Sequence, residues 1–312
     1  MTRLHSNLPV AWRFLAVGTI WGSGFYWNAL ALRTMDWEFI VWARGLLGAI
    51  TLLAAIAMLR PRTDGRVWPR SWKTWVHFGV IGVLLAVLPN VFWTLGQLGV
   101  TVSTASIYNG VTPIVTALIA GLLFRIDVLG PRQWLGIACG IVGVTVVIAP
   151  WESSFGGGVW NQLACLAGVT SAALAFAYQR KYLAETPMHA TTAAALITIG
   201  AAVVSVVFTP VWAKWPTAFD PMSWLGLLWL GVLVSGIAYI WNARVVDSWG
   251  ATGASMVTYL SPVVGVALGV ALLGEQLTWH APLGGLIIVV GIALSQSNAT
   301  SRSPRGAVQV VD

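Results

Sequence analysis

Along the 312 residues, apolar positions gather into ten stretches and polar positions gather between them. The stretches cover approximately 11–32, 38–59, 74–98, 102–124, 131–150, 159–179, 189–212, 223–243, 251–273 and 280–297. Each is near the ~20 residues that a helix needs to cross a hydrocarbon core. The pattern therefore predicts an all-α integral membrane protein with ten transmembrane helices. Composition agrees: 57% hydrophobic and only 9% charged residues, with a mean hydropathy of +0.79, are too apolar for a soluble domain of this length.

Charge adds the orientation. Arg3, Arg13, Arg60, Arg62, Arg66, Arg70, Lys73, Arg125, Arg132, Arg180, Lys181, Arg244, Arg302 and Arg305 all fall in one alternate set of connections and tails. The other set holds only Arg33 and Lys214, and Arg44 lies inside the second stretch. Short loops rich in Lys and Arg stay in the cytoplasm, so both termini are expected there. The net charge of +7 then faces anionic lipid headgroups, and no nucleic-acid partner is implied. Trp12, Trp37, Trp68, Trp72, Trp75, Trp151, Trp160, Trp212, Trp215 and Trp224 sit at stretch ends, where an amphipathic ring prefers the membrane interface. Cys139 and Cys165 fall in the fifth and sixth stretches and are expected to be free packing thiols; neither a metal site nor a cofactor is implied.

The first stretch is longer than a signal-peptide core and contains Gly22, Ser23, Gly24 and Asn28, so it is read as a retained helix. Asn298-Ala299-Thr300 fits a glycosylation pattern but falls on the expected cytoplasmic side. The residues from 299 to 312 read as a disordered cytoplasmic tail.

A repeat links the two halves. When residues 103–149 are laid over 252–297, Pro113 meets Pro262; after one inserted residue Asp127 meets Glu275, Gly136 meets Gly284 and Gly143 meets Gly291. Domains of 1–150 and 151–298 follow, each with five spans. An odd number of spans turns the second copy upside down in the membrane, an arrangement recurrent in secondary transporters with a midplane substrate site. A helix with a central proline, an acidic residue after it and a Gly-rich helix ending each half resemble the EamA-type module of the drug/metabolite transporter superfamily. The opening IWGSGFYWNALAL and the following VWARGLLGA carry the same resemblance. It extends over roughly 14–297, with Ala194 where a counterpart of Arg44 would fall and Asp127 where Glu is more usual. It implies a ten-helix exporter or facilitator of small metabolites, with amino-acid export well represented.

Candidate substrate-binding residues are Trp21 in the first span, Asn90, Trp93 and Gln97 in the third, Tyr108 and Asn109 in the fourth, Tyr239 and Asn242 in the eighth and Tyr259 in the ninth. Ser235, Thr112, Thr258 and Ser261 lie near them, and Pro89, Pro113 and Pro262 mark bends that expose backbone to a cavity. For each residue alone, interhelical hydrogen bonding is the competing reading, and WGSG is equally a close-packing face. Arg44 is expected to reach out to the membrane boundary, with a grip on a substrate carboxylate as the alternative. Asp127 and Glu275 read as caps or gate contacts, and His77 as a packing or interfacial residue.

No HExxH helix, nucleophile with a base or phosphate-binding loop is present, so a membrane-embedded enzyme is the weaker class. Among transporters, a sugar-phosphate or nucleotide-sugar exchanger calls for more than one buried cation, and a small drug exporter is the other alternative. All ten acidic residues fall in connections, tails or outermost turns, which points away from a midplane proton relay and toward facilitated movement down the cargo's own gradient.

Overall fold

The computed structural model describes residues 2–59, 69, 71–149, 158–183, 193, 196–197, 199–201, 203–204, 214–255 and 257–296. Among them we number nine helices: α1 (Thr2–Ala31), α2 (Trp37–Leu59), α3 (Trp72–Gly96), α4 (Val102–Leu123), α5 (Pro131–Ile148), α6 (Val159–Tyr182), α7 (Pro221–Val245), α8 (Val257–Leu273) and α9 (His280–Gln296). Six of these, α2 to α7, are long and apolar enough to cross a membrane, and α8 and α9 are shorter apolar helices. The expected seventh stretch and the tail from 299 lie largely or wholly outside the described residues, although Ala193, Leu196, Ile197, Gly200 and Ala201 are described and helical. The other boundaries fall within a few residues of the apolar pattern, with two exceptions. Helix α1 starts at Thr2, ahead of its apolar stretch, and the backbone after α7 stays helical through Ser255 where Arg244 was expected to open a connection. No proline interrupts that segment.

Helix starts follow local chemistry. The Thr101 hydroxyl accepts from the Thr104 amide, 3.2 Å away, at the start of α4. At α7, Asp220 accepts from the Ser223 hydroxyl at 2.7 Å and the Ser223 amide at 3.0 Å. Those bonds hold its carboxyl below the ordinary carboxylate value, the hydroxyl contributing most. Gly130 precedes Pro131 at the start of α5, and the Gln133 side chain accepts from the Gly130 amide at 2.9 Å. The polypeptide widens into π-helical turns at Val83–Val87, Ile119–Leu123 and Trp229–Ile237.

Three cores organise the helices. Val17, Ile20, Phe39, Ile40, Leu230 and Val234 join α1, α2 and α7. Phe78, Ile81, Ala175, Leu196 and Ile197 join α3, α6 and the described residues near 196. Ile107, Tyr108, Ile114, Ile137, Ile288 and Ile292 fill the seam of α4, α5 and α9. Thus α3 leaves its sequence neighbours to pack on α6, while α7 leaves its own to pack on α1 and α2. Outward faces remain apolar: Ile141, Leu286 and Val289 are about 60% exposed (59%, 62% and 61%), as side chains facing lipid are.

The seam depends on glycine. Gly136 lies against the carbonyl oxygen of Gly291, and a Cβ on Gly143 would stand 2.8 Å from the carbonyl oxygen of Gly284. The contacts are mutual, since a Cβ on Gly284 would stand 2.7 Å from the Gly143 carbonyl oxygen and one on Gly291 2.7 Å from that of Gly136. Small residues that let two backbones touch are how helices associate in lipid, where burial of apolar side chains offers little net gain. Helix α4 meets α8 similarly, with Gly110 near Pro262 and Gly265 against Ser106.

Replacing Gly143 by Ala should lower stability by about 1–3 kcal/mol, because the obstacle is backbone and cannot rotate away. Gly79→Ala, whose added Cβ meets nothing within 4 Å, serves as the control. Thermal unfolding in detergent reads both; equal melting temperatures for the two variants would contradict the seam's close approach.

Candidate functional site

The polar residues expected to line a cavity divide into groups with different duties. At the ends of α1 and α3, Asn28 Nδ2 donates to Gln97 Oε1 at 2.7 Å, Gln97 Nε2 donates to the Phe25 carbonyl at 2.8 Å, and the Thr94 hydroxyl lies 3.2 Å from Asn28 Oδ1. Gln97 therefore spends its amide on joining two helices. Trp93 lies one turn away with its indole against Gly168 of α6 and its ring 5.7 Å from that of Phe25. Its Nε1 is buried without an acceptor. Tyr108 is fully buried and donates its hydroxyl to Gln162 Oε1 on α6 at 2.6 Å. Asn90 is half-buried on α3, and its carbonyl accepts from the Thr94 hydroxyl at 2.7 Å.

The proline at 113 explains a neighbouring bond. Pro113 has no amide hydrogen to give the Asn109 carbonyl one turn back, and the Thr112 hydroxyl takes its place at 2.7 Å. The Asn109 side chain is then free to reach α8, where Nδ2 donates to Ser261 Oγ at 3.3 Å, next to Pro262. Tyr259, three residues before Pro262, packs half-buried on the seam core.

A second group forms where α1, α2 and α7 meet. Trp21 Nε1 donates to the Val234 carbonyl in the π-helical part of α7 at 3.2 Å, and its ring meets Tyr239 edge-on at 5.6 Å. Arg44 is only 7% exposed, and its Nε donates to Ser235 Oγ at 3.3 Å. This corrects the expectation that Arg44 reaches out to the membrane boundary. Gly48, one turn further along α2, brings the α2 backbone against Ser235, so the guanidinium points into the helix junction. Asn242, three residues beyond Tyr239, keeps a buried Oδ1 without a donor. Trp21, Tyr239 and Arg44 are thus gathered; Trp93, Gln97 and Tyr108 face α1 and α6 instead.

Charged contacts close the helix ends. Gly274, at φ +65°, reverses the chain after α8, and Glu275 follows with its amide on the Gly269 carbonyl at 3.1 Å. Its carboxylate reaches across to α4, Oε1 accepting from the Val102 amide at 2.7 Å and Oε2 from the Ser103 amide at 2.9 Å. A carboxylate on two unpaired amides at a helix start is favoured by hydrogen bonding and by the helix dipole together. Asp127, its partner in the repeat, instead receives both terminal nitrogens of Arg180 at 2.9 and 3.0 Å. Nearby, the His77 ring is 2.7 Å from the Tyr178 hydroxyl and stacks on Tyr182 at 5.2 Å.

The sequence profile of the EamA-like transporter family matches residues 9–149 and, a second time, residues 159–296. The chain belongs to this family. It is similar to the uncharacterized inner membrane transporter YedA of Escherichia coli K12, at 27% identity over 92% of this chain and 91% of that protein. It is also similar to the uncharacterized transporter YdfC of Bacillus subtilis, at 23% identity over 88% of this chain and 87% of that one. Among solved structures, a crystal structure aligns with a TM-score of 0.59, covering 90% of this chain and 98% of the other; at 20% identity it speaks for the fold alone. Family and helices together make this EamA-like chain a multi-pass membrane protein that transports.

Three contributors escaped the sequence reading of this EamA-like chain. Asn161, whose Nδ2 donates to the Leu95 carbonyl at 2.8 Å, and Gln162 sit in the first turn of α6. An adjacent pair of amide side chains opening an apolar helix was the available signal. Trp229 adds a third, donating to Ser23 Oγ at 3.0 Å. For the Glu275 cap, Glu275→Ala should cost about 1–2 kcal/mol and Glu275→Gln less, since one acceptor oxygen remains. Amide hydrogen exchange at Val102 and Ser103 reports the loss directly; unchanged exchange in Glu275→Ala would refute the cap.

Proposed function

We propose that the protein is a secondary transporter moving small metabolites across the cell's inner membrane by alternating access. In this reading ten transmembrane helices form two inverted repeats, residues 1–150 and 151–298, with both termini in the cytoplasm and the tail from 299 disordered. The observation that carries it is the reciprocity of the seam: with Gly136 equivalent to Gly284 and Gly143 to Gly291, Gly136 meets Gly291 and Gly143 meets Gly284. Such exchanged contacts are what a twofold axis generates, and an axis lying across the helices runs them antiparallel. The profile's two matches support the same division. On this plan the α1–α2–α7 group and the α3–α6 group rock about the seam of α4, α5, α8 and α9. The cargo site lies between them, with Trp21, Asn90, Trp93, Gln97, Tyr108, Asn109, Tyr239, Asn242 and Tyr259 as its candidate wall.

Amino acids are the proposed cargo, aromatic and other neutral ones included, exported down their own gradient. Purified protein in liposomes should exchange a labelled neutral amino acid in preference to phosphorylated sugars, and net flux should persist with no pH difference. Uphill movement driven by an imposed pH difference alone would sink the gradient-driven reading; preference for phosphorylated sugars would favour the exchanger class.

Orientation is checked separately in a Cys139→Ala, Cys165→Ala background. Thr63→Cys, Glu185→Cys and Ser303→Cys should be protected from an impermeant thiol reagent in intact cells, while Ser153→Cys and Thr217→Cys should be labelled. Labelling of positions 63 and 153 together would overturn the charge-based topology.

A further inference from the structure

Arg44 is the charged residue among the buried polar side chains of the described residues, and nothing in them neutralises it. The ion pair they contain is Arg180 with Asp127, at the far end of α6. A guanidinium offers five N–H donors, and only Nε is engaged, by a neutral hydroxyl 3.3 Å away. Its two terminal nitrogens have no partner among the described residues. Residue 44 stands roughly 10 Å along α2 from its first residue. A buried cation left in this condition is costly, and long side chains near helix ends normally turn outward to avoid it. Here the fold does the reverse and turns the side chain inward, toward α7.

The surroundings give the missing partner its shape. Trp21 cannot swing, because its indole N–H is held by the Val234 carbonyl at 3.2 Å. Its ring stands edge-on to Tyr239, four residues after Ser235 on the same face of α7. Tyr239 therefore stands one helical turn from the Ser235 hydroxyl that holds Arg44. The junction of α1, α2 and α7 brings a guanidinium with a planar pair of donors together with two aromatic rings. The other basic side chains inside described helices are remote from this junction: Arg13 precedes Trp21 by about 12 Å along α1, and Arg244 follows Ser235 by about 13 Å along its helix. A single positive charge is therefore available here, which matches a monoanion rather than a phosphate dianion.

We infer that Arg44 is a substrate-binding residue that grips the carboxylate of the cargo through its two terminal nitrogens, with the cargo's flat or apolar body against Trp21 and Tyr239. The inference rests on the transport reading above and narrows it: the cargo class is small molecules with a free carboxylate and an apolar or aromatic body. Ser235 then acts as a positioning residue, holding Nε so that the fork faces the cargo.

The probes are phenylacetate, L-phenylalanine and phenylacetamide, the last a neutral match for the first. Thermal unfolding of the detergent-solubilised full chain is followed across a concentration series of each. Phenylacetate and L-phenylalanine should raise the melting temperature, with an apparent affinity about tenfold or more above that of phenylacetamide, as expected for a charge-assisted bidentate pair. In Arg44→Gln the carboxylate and amide should become equivalent, and Arg44→Lys should restore part of the difference. Because the reading is a ratio within one variant, reduced stability does not imitate it. If Arg44→Gln does not fold, the comparison of phenylacetate with phenylacetamide in the unaltered protein decides alone.

Equal shifts from phenylacetate and phenylacetamide would overturn the assignment. So would a carboxylate preference that survives in Arg44→Gln, or no shift from either carboxylate in protein that exchanges some cargo in liposomes. Absence of exchange with every cargo would instead refute the transport reading.

Discussion

Backbone-to-backbone approach at glycine is the contact on which this architecture depends. In lipid the solvent is as apolar as the side chains, so helices gain little from hiding leucine and must associate through close packing and hydrogen bonds. Gly136, Gly143, Gly284 and Gly291 let α5 and α9 touch at their carbonyl oxygens, and Gly110 and Gly265 let α4 and α8 close onto the side chains of Pro262 and Ser106. The two remaining groups of helices are assembled on this seam. Each group draws one helix from the other half of the chain, α7 onto α1 and α2 and α6 onto α3.

Polar side chains inside the protein are divided between holding and waiting. Asn28 with Gln97, Tyr108 with Gln162 and Ser171 with the Leu84 carbonyl at 2.8 Å are closed pairs between helices. Each satisfies groups that would otherwise be stranded in hydrocarbon. Trp93 Nε1 and Asn242 Oδ1 are left without partners, and Arg44 is left without an anion. In a medium that penalises unsatisfied polar atoms, such incompleteness marks the places where a polar guest would be welcome. The π-helical turn at Trp229–Ile237 contributes to one of them by presenting the Val234 carbonyl to Trp21.

The two acidic residues at equivalent places in the repeat behave differently. Glu275 is tied to amides of the other half, while Asp127 is tied to a side chain of α6. A carboxylate on backbone amides is anchored by groups that cannot rotate away. One on an exposed arginine is held by a flexible, solvated partner and contributes little to stability. The Glu275 contact therefore holds the α4–α8 pair more firmly than the Asp127 contact holds the segment after α4 to α6.

Much of the plan was readable in one dimension. Runs of about 20 apolar residues are dictated by membrane thickness alone, so the ends of α2, α3, α4, α5, α6 and α9 fall close to the apolar pattern. The repeat, too, is a property of spacing, and Pro113, Gly136 and Gly143 find their counterparts without coordinates. Which partner each polar residue meets is a matter of three dimensions. Gln97 and Trp93 share a helical face with Asn90, yet α3 crosses over to α6 and turns that face toward Asn28, Phe25 and Gly168. Arg44 could reach out or in by length, and the direction was decided by Gly48, which draws α2 onto Ser235. Hydropathy reports transfer into lipid one residue at a time, whereas hydrogen bonds and close approaches are properties of pairs distant in sequence; only tertiary packing chooses those pairs.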